Sequence, residues 1–104
     1  MFVDAFVVLA EPNRRRILDE LRESDSSVGE LVAALAVSQP TISKHLRVLR
    51  EAGFVSRRTS RQRRIYRLET EPLAGVDRWL ARYRHLWTTH LDALEPHLDS
   101  QEER

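Results

Sequence analysis

The sequence predicts a mainly α-helical chain carrying one small β-hairpin, and three observations support that prediction. Apolar residues recur at helical spacing through most of the chain. The β-compatible runs, Phe54–Thr59 and Arg64–Leu68, lie side by side around a polar tip, Ser60–Arg63. Helix start and stop signals bracket the segments on either side. At 104 residues the chain reads as one domain over 1–100, with 101–104 as a disordered tail.

Taken in order, Phe2–Ala10 is a short apolar helix, and Pro12 suits the first turn of the next one. Ile17, Leu18 and Leu21 give that second helix an apolar face ending near Glu23. After the polar connector Ser24–Ser27, Ser27 and Glu30 have the spacing of a capping box. The helix they open shows Val28, Leu31 and Leu35 on one side, and Ala36-Val37 makes a turn. Ser38 is the next N-cap candidate, Pro40 falls in the first turn, and Gly53 follows Ala52 as a helix stop. Two short helices joined by a short turn form a helix-turn-helix at 28–52. The hairpin at 54–68 follows as its wing, with no glycine at the tip to fix the turn type. Pro72 opens the longest helix, 72–95, which Pro96 should kink or end.

Charge is distributed unevenly along these elements. The net charge is +1, yet residues 44–67 carry Lys44, Arg47, Arg50, Arg57, Arg58, Arg61, Arg63, Arg64 and Arg67 against Glu51 alone. Such a basic middle segment is the footprint of a face that binds a polyanion. The chain has no cysteine, which excludes disulfides and thiolate metal sites. It has no apolar stretch long enough to span a bilayer and no signal-peptide pattern, so a cytoplasmic location is expected.

On the second helix of the motif, Ile42, Leu46 and Leu49 fall within an arc of about 60° and mark the buried side. Pro40, Ser43, Lys44 and Arg47 point away from it. Ser38, Gln39 and Thr41 stand at the N-terminal end, which such motifs present to base edges. Glutamine can pair with adenine, and threonine can donate a hydrogen bond or touch a thymine methyl. His45 lies on the flank, where it either packs half-buried or donates to a phosphate. Arg61, Arg63 and Arg64 cluster at the hairpin tip, and the planar guanidinium suits phosphates and narrow minor grooves. Arg14 shares the apolar side of its helix, where its stem can lie along the core. Arg15 and Arg16 are read as solvated or paired with Asp19 and Glu20, with a phosphate contact as the alternative.

The last helix carries two registers spaced by seven: Leu73, Leu80, Trp87 and Leu94, then Val76, Tyr83, His90 and His97. Trp79, Leu86, Leu91 and Leu98 widen the stripe. A monomer this small cannot cover it, so a homodimer is expected, with Phe2, Phe6, Leu73, Leu80, Tyr83, Trp87, His90, Leu91 and Leu94 at the interface. His85 and His90 point to different sides of that helix, and His90 and His97 lie about 10.5 Å apart along it. One subunit therefore cannot gather them around a metal, and no metal or cofactor is expected. A histidine site shared across the dimer is the alternative.

The run Val37-Ser38-Gln39-Pro40-Thr41-Ile42-Ser43-Lys44-His45-Leu46-Arg47-Val48-Leu49-Arg50-Glu51-Ala52-Gly53-Phe54-Val55 closely resembles the recognition segment of the ArsR/SmtB-type winged-helix repressors. Glu11–Leu18 is similar to their early helix and Arg63–Leu68 to their wing. The resemblance implies a homodimer bound to an imperfect inverted repeat in double-stranded DNA, with the first and last helices at the dimer interface. Two departures stand out. The usual glycine of the wing turn is absent, and Gly29–Ala33 lacks the cysteines of the metal-sensing members. The expected function is that of a DNA-binding repressor. A winged-helix module that binds protein instead of DNA is the competing reading, but protein partnering does not require the basic middle segment. No nucleophile–base pair, phosphate loop or paired carboxylates suggest an enzyme.

Overall fold

A computed structural model describes the backbone of residues 4–102 and the side chains of residues 4–90. The elements run α1 (Ala5–Leu9), α2 (Pro12–Glu23), β1 (Ser26–Ser27), α3 (Val28–Leu35), α4 (Gln39–Glu51), β2 (Val55–Ser60), β3 (Arg63–Leu68) and α5 (Glu71–Glu102). The chain divides into two compact units, residues 1–74 and 75–104. The second unit is a length of one helix, whose contacts link neighbours three and four positions apart.

In the first unit, Val8, Ile17, Leu18, Leu21, Leu31, Leu35, Ile42, Leu46, Leu49, Phe54, Val55 and Tyr66 form one buried core. Local signals set the helices around it. The capping box is present: Ser27 Oγ accepts from the Glu30 N–H at 3.2 Å, and Glu30 Oε1 accepts from the Ser27 N–H at 3.0 Å. At the end of α4, Gly53 takes the left-handed conformation (φ 82°), with Phe54 N–H bonded to Leu49 O and Gly53 N–H to Arg50 O. That pair of bonds is a Schellman motif, and it turns the chain directly into the wing.

Three details depart from expectation. β1 went unread, since a two-residue strand has no pattern; it joins the hairpin as the edge of a sheet ordered β1-β3-β2. The hairpin tip is shorter than Ser60–Arg63, because Ser60 pairs with Arg63 and only Arg61 and Gln62 turn the chain. Both have positive φ, 51° and 67°, the signature of a type I′ turn built without glycine. The last helix does not end at Glu95 but continues past Pro96 to Glu102. A proline removes a single N–H from the helical ladder, and the turns on either side can continue. Of the expected tail, residues 101–102 are helical and 103–104 lie outside the described residues, as does Phe2. Among the described residues no helix is long and apolar enough to cross a membrane.

Candidate nucleic-acid interface

Helix α4 buries Ile42, Leu46 and Leu49 and leaves Gln39, Pro40, Ser43, Lys44 and Arg47 exposed, as its periodicity requires. Its outer face and the hairpin bound a groove of about 630 Å³. Lining it are Val28, Gln39, Pro40, Ser43, Lys44, Arg47 and Arg50, then Arg57 of β2 and Arg64 and Tyr66 of β3. Five of those ten side chains are cationic, and none is a carboxylate.

Strand pleating decides which arginines reach this groove. Side chains alternate between faces along a strand, and directly paired residues share a face. Pairing Val55 with Leu68, Arg57 with Tyr66 and Thr59 with Arg64 puts all six on one face. That front face is apolar and buried at its base, where Val55 is 3% and Tyr66 5% exposed. Farther out it becomes basic. Arg50 and Arg57 belong to the groove although sequence reading left them out of the site. Arg50 is one helical turn beyond Arg47, whereas Arg57 could be placed only once the register was known.

The back face is different. Arg63 Nη2 donates to Ser27 Oγ at 2.8 Å and to Glu30 Oε1 at 3.0 Å. Arg58 Nη1 donates to Asp25 Oδ2 at 2.9 Å. The three tip arginines are placed apart: Arg64 lines the groove, Arg61 stands exposed in the turn, and Arg63 is hydrogen-bonded on the back face. The Glu30 carboxyl is held below its ordinary value of 4.5, first by the Ser27 N–H, then by the Ser27 hydroxyl, with Arg63 adding to both.

Other expected site residues take supporting positions. The His45 side chain is 12% exposed, with Nε2 3.6 Å from a Glu11 carboxylate oxygen. Its Nδ1 accepts from Arg14 Nε at 3.4 Å, which ties the imidazole to α2. Ser38 occupies the N-cap of α4 but makes no cap bond; its hydroxyl donates to Thr41 Oγ1 at 2.9 Å. Pro40 explains this, because it removes one of the N–H groups an N-cap side chain normally bonds. Arg14, Arg15 and Arg16 donate to Val8 O, Leu9 O and Leu35 O, carbonyls at the ends of α1 and α3. They satisfy orphan helix-end acceptors. Arg15 and Arg16 are otherwise exposed, and their bonds run to these carbonyls and, for Arg16, to Asn13 Oδ1.

Of the expected dimer residues, Phe6, Tyr83, Trp87 and His90 are exposed, while Leu73 and Leu80 are half-buried. Leu73 packs against the core of the first unit. Tyr83 stacks at a tilt on Trp79, ring centres 4.9 Å apart. The side chains of Leu91 and Leu94 lie outside the described residues. Among the described residues no three His, Cys, Asp or Glu side chains gather in a way that could hold a metal ion.

Comparison with known proteins fits this geometry. Residues 11–57 match the model of the bacterial regulatory protein, arsR family. The chain is 37% identical over 97 residues to the HTH-type transcriptional regulator Rv2034 of Mycobacterium tuberculosis H37Rv, covering 93% of this chain and 88% of the relative. It is 46% identical over 68 residues to the HTH-type transcriptional repressor SmtB of M. tuberculosis CDC 1551, covering 65% of this chain and 50% of that longer protein. Among solved structures, an ArsR-like transcriptional regulator from Rhodococcus sp. RHA1 superposes with a TM-score of 0.70 at 31% identity, over 89% of this chain and 88% of the other. The chain belongs to the arsR family of bacterial helix-turn-helix transcriptional regulators.

Proposed function

We propose that the protein represses transcription by binding, as a cytoplasmic homodimer, to an inverted repeat in duplex DNA. The observation that carries this reading is the acid-free groove between α4 and the front of the wing, with Lys44, Arg47, Arg50, Arg57 and Arg64 along it. Phosphate contacts fix position on a duplex and base contacts specify the sequence. In this reading Gln39, Thr41 and Ser43, at the start of α4, face base edges in the major groove. The five cations hold the phosphates on either side, and Arg61 reaches the flanking groove from the wing tip.

The dimer is supported by apolar surface: Phe6, Val7, Trp79, Tyr83, Leu86 and Trp87 are each at least 40% exposed. A two-fold axis relating two copies of α4 would match an inverted repeat. Titration of the chain's own promoter DNA across a salt series tests the reading. If each subunit neutralises about three to five phosphates, log K falls against log salt with a slope on the order of −5 to −9. A slope near zero overturns it.

A further inference from the structure

We infer that Arg63 is a positioning residue: by closing onto the Ser27–Glu30 capping box it latches the wing to α3 and sets the wing's angle beside the recognition helix. The inference rests on the DNA-binding reading above but assigns Arg63 a role opposite to a phosphate contact. Its guanidinium meets two acceptors that the fold has already fixed. Glu30 Oε1 is bonded to the Ser27 N–H at 3.0 Å, Ser27 Oγ is bonded to the Glu30 N–H at 3.2 Å, and Arg63 Nη2 bridges the two oxygens. An ordinary surface ion pair gains little, because two long side chains must be ordered to form it. Here the carboxylate is ordered by the helix cap, so only Arg63 loses freedom.

The position of the latch gives it leverage. The base of the hairpin is fixed by the Schellman turn after α4, and β1 pairs with β3 only at Tyr66 and Ile65. Arg63 lies beyond that pairing, at the outer end of β3. A tie there, supported by Arg58 on Asp25 across the same face, fixes the angle that the base alone leaves loose. Arg57 and Arg64, on the opposite face, are held at a set distance from α4 as a result.

The two roles for Arg63 make opposite predictions at Glu30. If Arg63 left the latch to grip a phosphate, Glu30 would compete with DNA, and Glu30→Gln would tighten binding. As a latch, Glu30→Gln loosens the wing while keeping the helix cap, since glutamine completes a capping box equally well. Operator affinity across a salt series, for the full chain and for Glu30→Gln, Arg63→Ala and the double variant, decides between them. Each single variant should weaken operator binding about two- to fivefold, the fold-change a surface pair can supply. The double variant should be no weaker than the singles, and the salt slope should stay at the wild-type value. Tighter binding by Glu30→Gln, additive losses, or a slope shallower by about one per subunit in Arg63→Ala would overturn the latch. Hydrogen exchange of the β2–β3 amides in the DNA-free protein supplies an independent arm. Both single variants should exchange faster there, and unchanged exchange also overturns the latch. Failure of the wild-type chain to bind DNA would instead sink the functional reading and leave this arm intact.

Discussion

The two faces of the wing hairpin share a backbone and an arginine-rich composition, yet they have opposite electrostatic surroundings. On the front, Arg57 and Arg64 open onto a groove that no carboxylate lines. On the back, Arg58 and Arg63 are each matched to an acid, Asp25 and Glu30, that lies 33 residues away in sequence. A count of positive charge therefore overstates how much of it is available to a polyanion. The acids that cancel part of it are brought in by the entry to α3.

The comparison can be broken or sharpened at several levels. The largest effect should come from removing the base that both faces stand on. Phe54 is fully buried where α4 passes into the wing, so Phe54→Ala should cost about 3–5 kcal/mol of stability by denaturant unfolding and abolish DNA binding with it. A loss under about 1 kcal/mol would mean the wing does not depend on that core. Next comes the contrast itself. Arg57→Ala and Arg64→Ala should each weaken binding to operator and unrelated DNA alike, by about 1.5–3 kcal/mol if a charged hydrogen bond is lost. Arg58→Ala should change either quantity by less than about 1 kcal/mol. Equal losses on the two faces would remove the distinction between them.

The smallest effect sharpens the back face by pH. The folded protein holds Glu30 below its ordinary 4.5, so its stabilising contribution is fully present above that value and fades as pH falls through the lower, folded value. Thermal unfolding below pH 4.5 should therefore be less acid-sensitive in Glu30→Gln than in the wild type. Because the Ser27 N–H and hydroxyl outrank Arg63 as causes, Arg63→Ala should retain most of that acid sensitivity. If Arg63→Ala removed it entirely, the capping box would not be what holds the carboxylate.

What could be read in advance follows from the range of each interaction. The capping box at Ser27 and Glu30 and the stop at Gly53 are local signals, complete within a few residues, and both appear as the sequence indicates. The buried side of α4 follows from periodicity alone. Sorting the wing arginines was beyond reach, because it depends on strand register, and the register follows from a turn that lacks the usual glycine. The acids opposite Arg58 and Arg63 are distant in sequence, so the tip looked uniformly basic. His45 was placed on the flank, but its Glu11 and Arg14 partners appear only when α2 packs across α4.

The turn at Arg61 and Gln62 bears on the order in which the molecule assembles. Left-handed backbone costs an ordinary residue about 1–2 kcal/mol, so an unfolded hairpin with these two residues at its apex does not start there. Its first stable contacts are expected at the other end, where Gly53 reverses the chain, Val55 meets Leu68, and Glu69 N–H bonds Phe54 O at 2.8 Å. From that base, pairing is expected to proceed outward, Arg57 with Tyr66 first, Thr59 with Arg64 after it, and the left-handed apex last. On this expectation the pairs that carry the buried Val55 and Tyr66 form before the one that carries Arg64.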